Sequence, residues 1–175
     1  MLKPPPVDVL PFSHAYEIAE DGRIIYKGQV IQRAFKLDVE ENERLTVEVM
    51  RRTAFPEQVM HLYSEHCRIK IRRRVSSHGL LWFSQWQDPI DIEFVDVKPG
   101  ARFVMWNAVA RAIGEPTNDS WGNFGAIIEE KVPQREWILR CCQSALDTPP
   151  DFDALVLQVT RTTNPTPKQE LHDED

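Results

Sequence analysis

Apolar and polar residues alternate along much of the chain. Residues Ala34 to Glu40 follow this pattern, and after the polar turn Glu41-Asn42-Glu43 it resumes from Arg44 to Arg52. Because successive side chains of a strand point to opposite faces, each segment predicts a half-buried β-strand. The tight polar turn between them predicts that the two strands form an antiparallel pair.

Further strands are predicted at intervals of about 10 to 12 residues, with turn residues between them. The strongest hairpin signal is Asp21-Gly22, between His14–Ala19 and Arg23–Ile31. The remaining predicted strands are Cys67–Val75, Leu80–Trp86, Ile90–Val97, Ala101–Ala110, Ala126–Val132, Glu136–Cys142 and Ala154–Thr162. This pattern favours an all-β, mainly antiparallel sandwich of jelly-roll type over a closed barrel. Because Ala101–Ile113 also fits a helix face, an α+β fold is the alternative.

One short helix is predicted from Pro56 to His66. Pro56 suits the first position of a helix, and Glu57 complements the positive end of the helix dipole. The apolar residues that follow can form a stripe along one face of the helix, namely Val59, Met60, Leu62 and Tyr63.

The chain of 175 residues is long enough for one domain and short for two. The first eleven residues hold four prolines and predict a flexible N-terminal tail. Residues 164–175 hold two prolines and four acidic residues, and they predict an acidic flexible C-terminal tail. A single β-rich domain is therefore predicted from residue 12 to residue 163.

Composition and charge narrow the class of protein. With 42% hydrophobic and 27% charged residues, the chain is typical of a soluble globular domain, and no apolar run approaches the ~20 residues of a membrane helix. The net charge of −6 argues against non-specific binding of the whole molecule to nucleic acid or to an acidic membrane. Three cysteines, two of them adjacent, make a poor disulfide framework, so we expect a cytoplasmic protein.

The strongest chemical signal is a basic segment within Cys67–Val75. Between Arg44 and His78 there are eight Lys and Arg against three Glu, a local charge of +5. If the segment is one strand, four cations share one face in a row about 20 Å long: Arg68, Lys70, Arg72 and Arg74. Arg73 breaks the alternation. Such a row is suited to phosphates or carboxylates, because the arginine guanidinium binds them in bidentate geometry.

The alternative interpretation of this segment is an ordinary solvated sheet face. In that case acids on neighbouring strands neutralise the cations, and the candidates are Asp91, Glu93 and Glu48. If the row binds a ligand instead, we expect Arg51 and Arg52 to flank it.

Aromatic residues offer a second kind of contact. Trp82 and Trp86 would share one strand face, a spacing that can stack a sugar or a base, although core packing is the more common role. Trp121 lies in a polar loop that contains glycine on both sides, so we expect it at the rim of a ligand site.

Signals for catalysis or metal binding are weak. The nucleophile-elbow, zinc-protease, phosphate-loop and dinucleotide motifs are missing, and the group His61, His66, Cys67 and His78 lacks the spacing of a zinc site. Carboxylates such as Asp88, Asp91 and Asp119 have no partner that the sequence identifies. We therefore expect no catalytic residue, no metal and no cofactor.

These observations favour a non-catalytic binding or interaction module. Its expected ligand is a polyanion or an acidic protein surface, held by Arg68, Lys70, Arg72, Arg74, Arg51, Arg52 and Trp121. A self-assembling structural or accessory protein of viral or phage type, which would form homo-oligomers, is the first alternative. A small β-sandwich enzyme with a carboxylate-based site is the second. No membrane insertion is expected.

Overall fold

Strands make up nearly all of the regular structure in the computed structural model. It describes residues 6–7, 12, 16, 19, 21–54, 57–86, 88–110, 125–133, 135–143 and 150–163. The strands are β1 (Pro6–Val7), β2 (Arg23–Tyr26), β3 (Gln29–Gln32), β4 (Phe35–Asp38), β5 (Glu43–Arg52), β6 (Glu57–Glu65), β7 (Arg68–Ile71), β8 (Arg74–Ser76), β9 (His78–Trp82), β10 (Ile90–Val95), β11 (Arg102–Ala110), β12 (Ile127–Val132), β13 (Glu136–Gln143) and β14 (Asp151–Thr163).

The strands form two sheets of unequal size. In the described ranges the larger sheet has ten strands in the order β1-β2-β3-β12-β13-β14-β5-β10-β7-β8, and the smaller has the order β4-β11-β6-β9. Every pair is antiparallel except β1 with β2. The predicted all-β sandwich is confirmed, with most strands gathered in one sheet.

The main core lies between the two sheets. Its members include Phe35, Met60, Leu62, Leu81, Phe103 and Met105 from the smaller sheet and Leu45, Val47, Ile69, Ile92, Leu139 and Leu157 from the larger one. These residues occupy alternate positions of their strands, as expected when one face of each sheet is buried. The buried amide of Asn107 adds a polar link between the sheets, since its Nδ2 donates to the Cys142 carbonyl over 2.8 Å.

A second apolar cluster covers the other face of the larger sheet near β2, β3 and β13. It contains Phe12, Tyr16, Ile24, Tyr26, Ile31, Ala126 and Cys142. Adjacent Cys141 and Cys142 point to opposite faces, and both are buried because each face has its own cluster. Pro6–Val7, within the predicted tail, pairs with β2 in parallel.

The predicted helix at Pro56–His66 is wrong, because residues Glu57–Glu65 form strand β6. All nine of these residues pair with β11, and five pair with β9 on the other side. Met60 and Leu62 point into the main core, a two-residue spacing that serves a strand as well as a helix. The apolar pattern fits both a helix and a strand, and the hydrogen bonds to two neighbouring strands favour the strand.

Two predictions about strand pairing are also affected. Asp21-Gly22 forms a turn before β2, and most of the first arm of its predicted hairpin, His14–Ala19, lies outside the described residues. The predicted strand Arg23–Ile31 is itself a hairpin with its turn at Lys27-Gly28, where both residues have positive φ (47° and 80°) as a type I′ turn requires. Strands β4 and β5 do not pair, because the turn between them carries the chain from the smaller sheet to the larger one. Both strands still direct their apolar residues to the same core. The alternation alone therefore does not distinguish a connection between two sheets, here called an arch, from a hairpin within one sheet.

Candidate ligand-binding site

The basic segment folds as a short hairpin at the edge of the larger sheet. Strands β7 and β8 pair through Ile69 with Ser76 and Ile71 with Arg74, and Arg72-Arg73 forms the turn between them. The predicted single strand Cys67–Val75 is therefore wrong. Arg72 has a φ of 56°, a left-handed conformation that a non-glycine residue adopts at a cost of about 1 kcal/mol. The local sequence has no Gly or Asn to indicate this turn.

Two of the four candidate cations meet carboxylates across the sheet. Arg68 Nε donates to Asp96 Oδ2 over 2.7 Å, and Lys70 Nζ donates to Glu93 Oε2 over 2.8 Å. Lys70 and Glu93 are directly opposite each other in the β7–β10 ladder. The interpretation as a neutralised sheet face therefore describes this half of the segment.

The arginines of the turn differ from most others in the protein. In the part of the chain that the structure describes, no carboxylate lies within 4 Å of Arg72, Arg73 or Arg74, and all three side chains are exposed. Arginines elsewhere meet carboxylates, namely Arg44, Arg51, Arg68, Arg102, Arg135, Arg140 and Arg161. We call Arg72–Arg74 the arginine turn.

The arginine turn borders a cleft between the exposed edges of the two sheets. The cleft has a volume of about 780 Å³, and its wall combines the three arginines with the apolar residues Ile69, Ile71, Leu80, Leu81 and Trp86. The Arg72 guanidinium carbon lies 4.4 Å from the centre of the Trp86 ring. This cation–π contact orients the guanidinium while leaving its N–H groups available to a ligand. We call this space the inner cleft.

A second cavity of about 900 Å³ lies beside the inner cleft, on the outer face of the smaller sheet. Its aromatic lining is His61, Tyr63, His78, Trp82, Trp86 and Trp106. The His61 imidazole stacks on Trp106 with ring centres 5.1 Å apart and planes 6° apart, and burial lowers the pKa of His61. We call this space the aromatic cleft. Arg74 and Trp86 line both clefts.

Trp82 and Trp86 reach the aromatic cleft in a way the sequence did not predict. Strand β9 ends at Trp82. A turn follows, in which the Gln85 amide donates a hydrogen bond to the Trp82 carbonyl over 2.9 Å. The turn returns Trp86 toward the arginine turn. The two indoles therefore share a cleft without sharing a strand face.

Other candidate residues lie elsewhere. Glu93 pairs with Lys70 on one side and with Arg44 on the other, so Lys70 and Arg44 lie at the same position along the strand direction. Counted from this position, Arg51 lies roughly 17 Å farther along the strand direction than Arg72, and its strand is two strands away. Arg51 is 3.6 Å from Asp153. Arg52 is its neighbour at the end of β5. Trp121 and Asp119 lie outside the described residues.

Sequence reasoning missed several residues of the clefts. Arg73 interrupts the predicted alternation of the basic segment, and the structure shows that it lies in the turn. Leu80 and Gln85 gave no signal, and His78 was considered only as a metal ligand, because only the position of β9 beside the hairpin brings these residues to the clefts.

The described carboxylates and histidines do not gather into a further site. Among the residues that the structure describes, no group of three or more His, Cys, Asp and Glu is placed to hold a metal ion. Asp91 accepts a hydrogen bond from Thr46 over 2.7 Å and lies 3.7 Å from Arg44. Its carboxylate is thus engaged in the sheet.

In comparisons with known proteins, no family model matches the chain, and no curated protein and no solved structure matches it. In the described ranges no helix has the length and apolar character needed to cross a bilayer. Function is therefore inferred from the side chains of the two clefts.

Proposed function

We propose that the protein is a non-catalytic binding module that recognises an acidic protein or a polyanion at the arginine turn. The observation that supports this function most directly is the group of three exposed arginines without a described carboxylate within 4 Å, beside a cleft of about 780 Å³. Guanidinium groups bind carboxylate and phosphate oxygens with two parallel hydrogen bonds.

The charge distribution supports a localised anion site on an acidic protein. The chain as a whole carries −6, so long-range attraction of anions is weak and recognition depends on the local group. Arg68 and Lys70 contribute little to it, since their charges are offset by Asp96 and Glu93. The proposed site is accordingly smaller than the row of cations expected from the sequence.

The test is binding of two anionic probes, a fluorescein-labelled heparin fragment and a labelled poly-glutamate peptide, measured by fluorescence anisotropy. We expect the affinity to fall as salt rises from about 50 mM to about 200 mM, because exposed charges are screened over this range. The double variant Arg72→Glu with Arg74→Glu should weaken binding of at least one probe by more than about tenfold.

Arg52→Glu with Arg23→Glu is the matched control, because it makes the same change of net charge at exposed arginines away from the cleft. Binding that is equally weakened by both double variants, or by neither, contradicts recognition at the arginine turn.

We also propose that the protein is cytoplasmic. Three buried cysteines, Cys67, Cys141 and Cys142, are free thiols, which supports a reducing compartment. Localisation of a fluorescent fusion in the source cell, with signal outside the cytoplasm as the contradicting result, tests this assignment.

A further inference from the structure

Strand β9 is an edge strand beside both clefts. Within the described chain it pairs with β6 on one side, from Val59–Trp82 to Tyr63–His78, and with no strand on the other. An edge strand presents backbone N–H and C=O groups that can pair with another extended segment. Leu80, in the middle of β9, is 45% exposed.

The hydrogen-bond phase of the β6–β9 ladder shows which groups face the open side. Ser64 N donates to Ser77 O over 2.9 Å, and bonded and non-bonded pairs alternate in an antiparallel ladder. Gly79 and Leu81 therefore bond to β6. The N–H and C=O groups of His78, Leu80 and Trp82 point away from β6.

Local contacts at both ends of β9 agree with this phase. Ser76 Oγ accepts from His78 N over 3.2 Å, and Trp82 O accepts from Gln85 N over 2.9 Å. No described residue bonds to the N–H or C=O of Leu80. These two groups form an open docking point for another backbone.

The clefts lie on opposite faces of β9. Gly79 and Leu81 point toward the core beside the inner cleft, whereas Leu80 and Trp82 line the outer face beside the aromatic cleft. A strand added at the open edge would direct alternate side chains into the two clefts, because its residues alternate between faces. Both cavities border the same three residues of β9, His78, Gly79 and Leu80.

We propose that the open edge of β9 binds an extended acidic segment of a partner protein as an added β-strand. Apolar and aromatic side chains of that segment alternate between the inner and aromatic clefts, and its carboxylates meet the arginine turn. This proposal rests on the anion site described above and specifies its ligand. Charge complementarity favours an acidic peptide, and the unbonded Leu80 backbone favours an extended one.

A library of random ten-residue peptides displayed on phage, selected against the intact protein, tests the partner chemistry. We expect enrichment of peptides that combine alternating apolar or aromatic residues with at least two Asp or Glu. Leu80→Pro removes the outward N–H while leaving the β6 ladder intact, a position where an edge strand tolerates proline. It should weaken the selected peptide more than about tenfold, and Leu80→Ala, which keeps the N–H, should weaken it less.

Backbone methylation of the selected peptide tests the same phase without altering the protein. N-methyl groups on one alternate set of residues should abolish binding, and N-methyl groups on the other set should be tolerated, because only one set of N–H groups faces β9. Equal effects of the two sets, or selected peptides that bind the folded Leu80→Pro protein normally, overturn strand addition.

The outcomes separate this proposal from the proposed function. In one outcome, binding of the heparin or poly-glutamate probe requires Arg72 and Arg74, while N-methylation of the two alternate sets of residues affects every selected peptide equally. That result would support the anion site and overturn strand addition. If neither anionic probe responds to the arginine variants, the anion site itself fails. A dimer that dissociates on Leu80→Pro would assign the edge to a second copy of the chain and would overturn the acidic partner.

Discussion

Arg161 and Glu43 form a partly buried ion pair between neighbouring strands, with Arg161 Nε donating to Glu43 Oε1 over 2.8 Å. Glu43 is 5% exposed, and its carboxylate also accepts from the Glu40 amide over 2.8 Å. A second guanidinium nitrogen of Arg161 donates to the Asp38 carbonyl over 3.0 Å. The pair therefore joins β14 to β5 and to the arch between β4 and β5.

Glu43→Gln should lower the free energy of unfolding by about 2 kcal/mol, because it weakens the charge-assisted hydrogen bonds of Arg161 and leaves its partly exposed guanidinium without its nearest counter-charge. Urea denaturation followed by tryptophan fluorescence measures the change. The control is Asp38→Asn, whose exposed pair with Arg102 should contribute less than about 1 kcal/mol. Equal unfolding midpoints for the Glu43 variant and the parent chain would contradict the role of this pair.

Trp86→Leu should weaken binding of the heparin probe about two- to fivefold, since the indole holds the Arg72 guanidinium by a cation–π contact of about 0.5–1 kcal/mol. The readout is fluorescence anisotropy at low salt. Trp82→Leu is the matched control, because Trp82 lines the aromatic cleft without being the ring beneath Arg72. If the Trp82 variant weakens binding as much as the Trp86 variant, the contact does not position the guanidinium.

The three thiols should resist alkylation in the native state. Burial is the main cause that raises the pKa of Cys67, Cys141 and Cys142, and for Cys142 the nearby Asp151 carboxylate helps to raise it to about 12. Since the thiolate is the reactive form, iodoacetamide near neutral pH should modify none of them before unfolding and all of them in urea. Mass spectrometry counts the adducts. Rapid modification of the folded protein would show that a thiol is accessible.

Stability should fall on acidification partly through His61. Burial lowers the pKa of His61 in the folded protein below its usual 6.5, so the unfolded chain binds the proton first as the pH falls. The contribution of His61 to stability is therefore fully present above about pH 6.5 and is lost as the pH falls through this value toward the lower folded pKa.

His61→Phe should reduce the loss of stability between about pH 7.5 and pH 5.5, because phenylalanine keeps a ring against Trp106 but binds no proton. Urea midpoints of both proteins at the two pH values give the comparison. The role of His61 is disproved if the two proteins lose stability equally.

The sequence by itself determined the class of fold and the position of most strands. The alternation in Arg44–Arg52, Ile90–Val97 and Ala101–Ala110 predicted β5, β10 and β11 within a few residues. It did so because half-buried strands must alternate apolar and polar residues, whatever their neighbours are. The same alternation predicted that the cations of the basic segment share one face, and Glu93 was among the acids expected opposite them.

Tertiary structure alone decided how these segments combine. Glu57–Glu65 became a strand because β11 and β9 offered hydrogen bonds on both sides, and β4 and β5 joined different sheets because both sheets bury apolar faces in one core. Arg72-Arg73 became a turn without a turn-forming residue. The site followed from these choices: the hairpin gathered three arginines at one end, and the open edge of β9 lay beside them. Strand neighbours are set by contacts between residues far apart in the chain, so a local pattern specifies a strand's faces but not its partners.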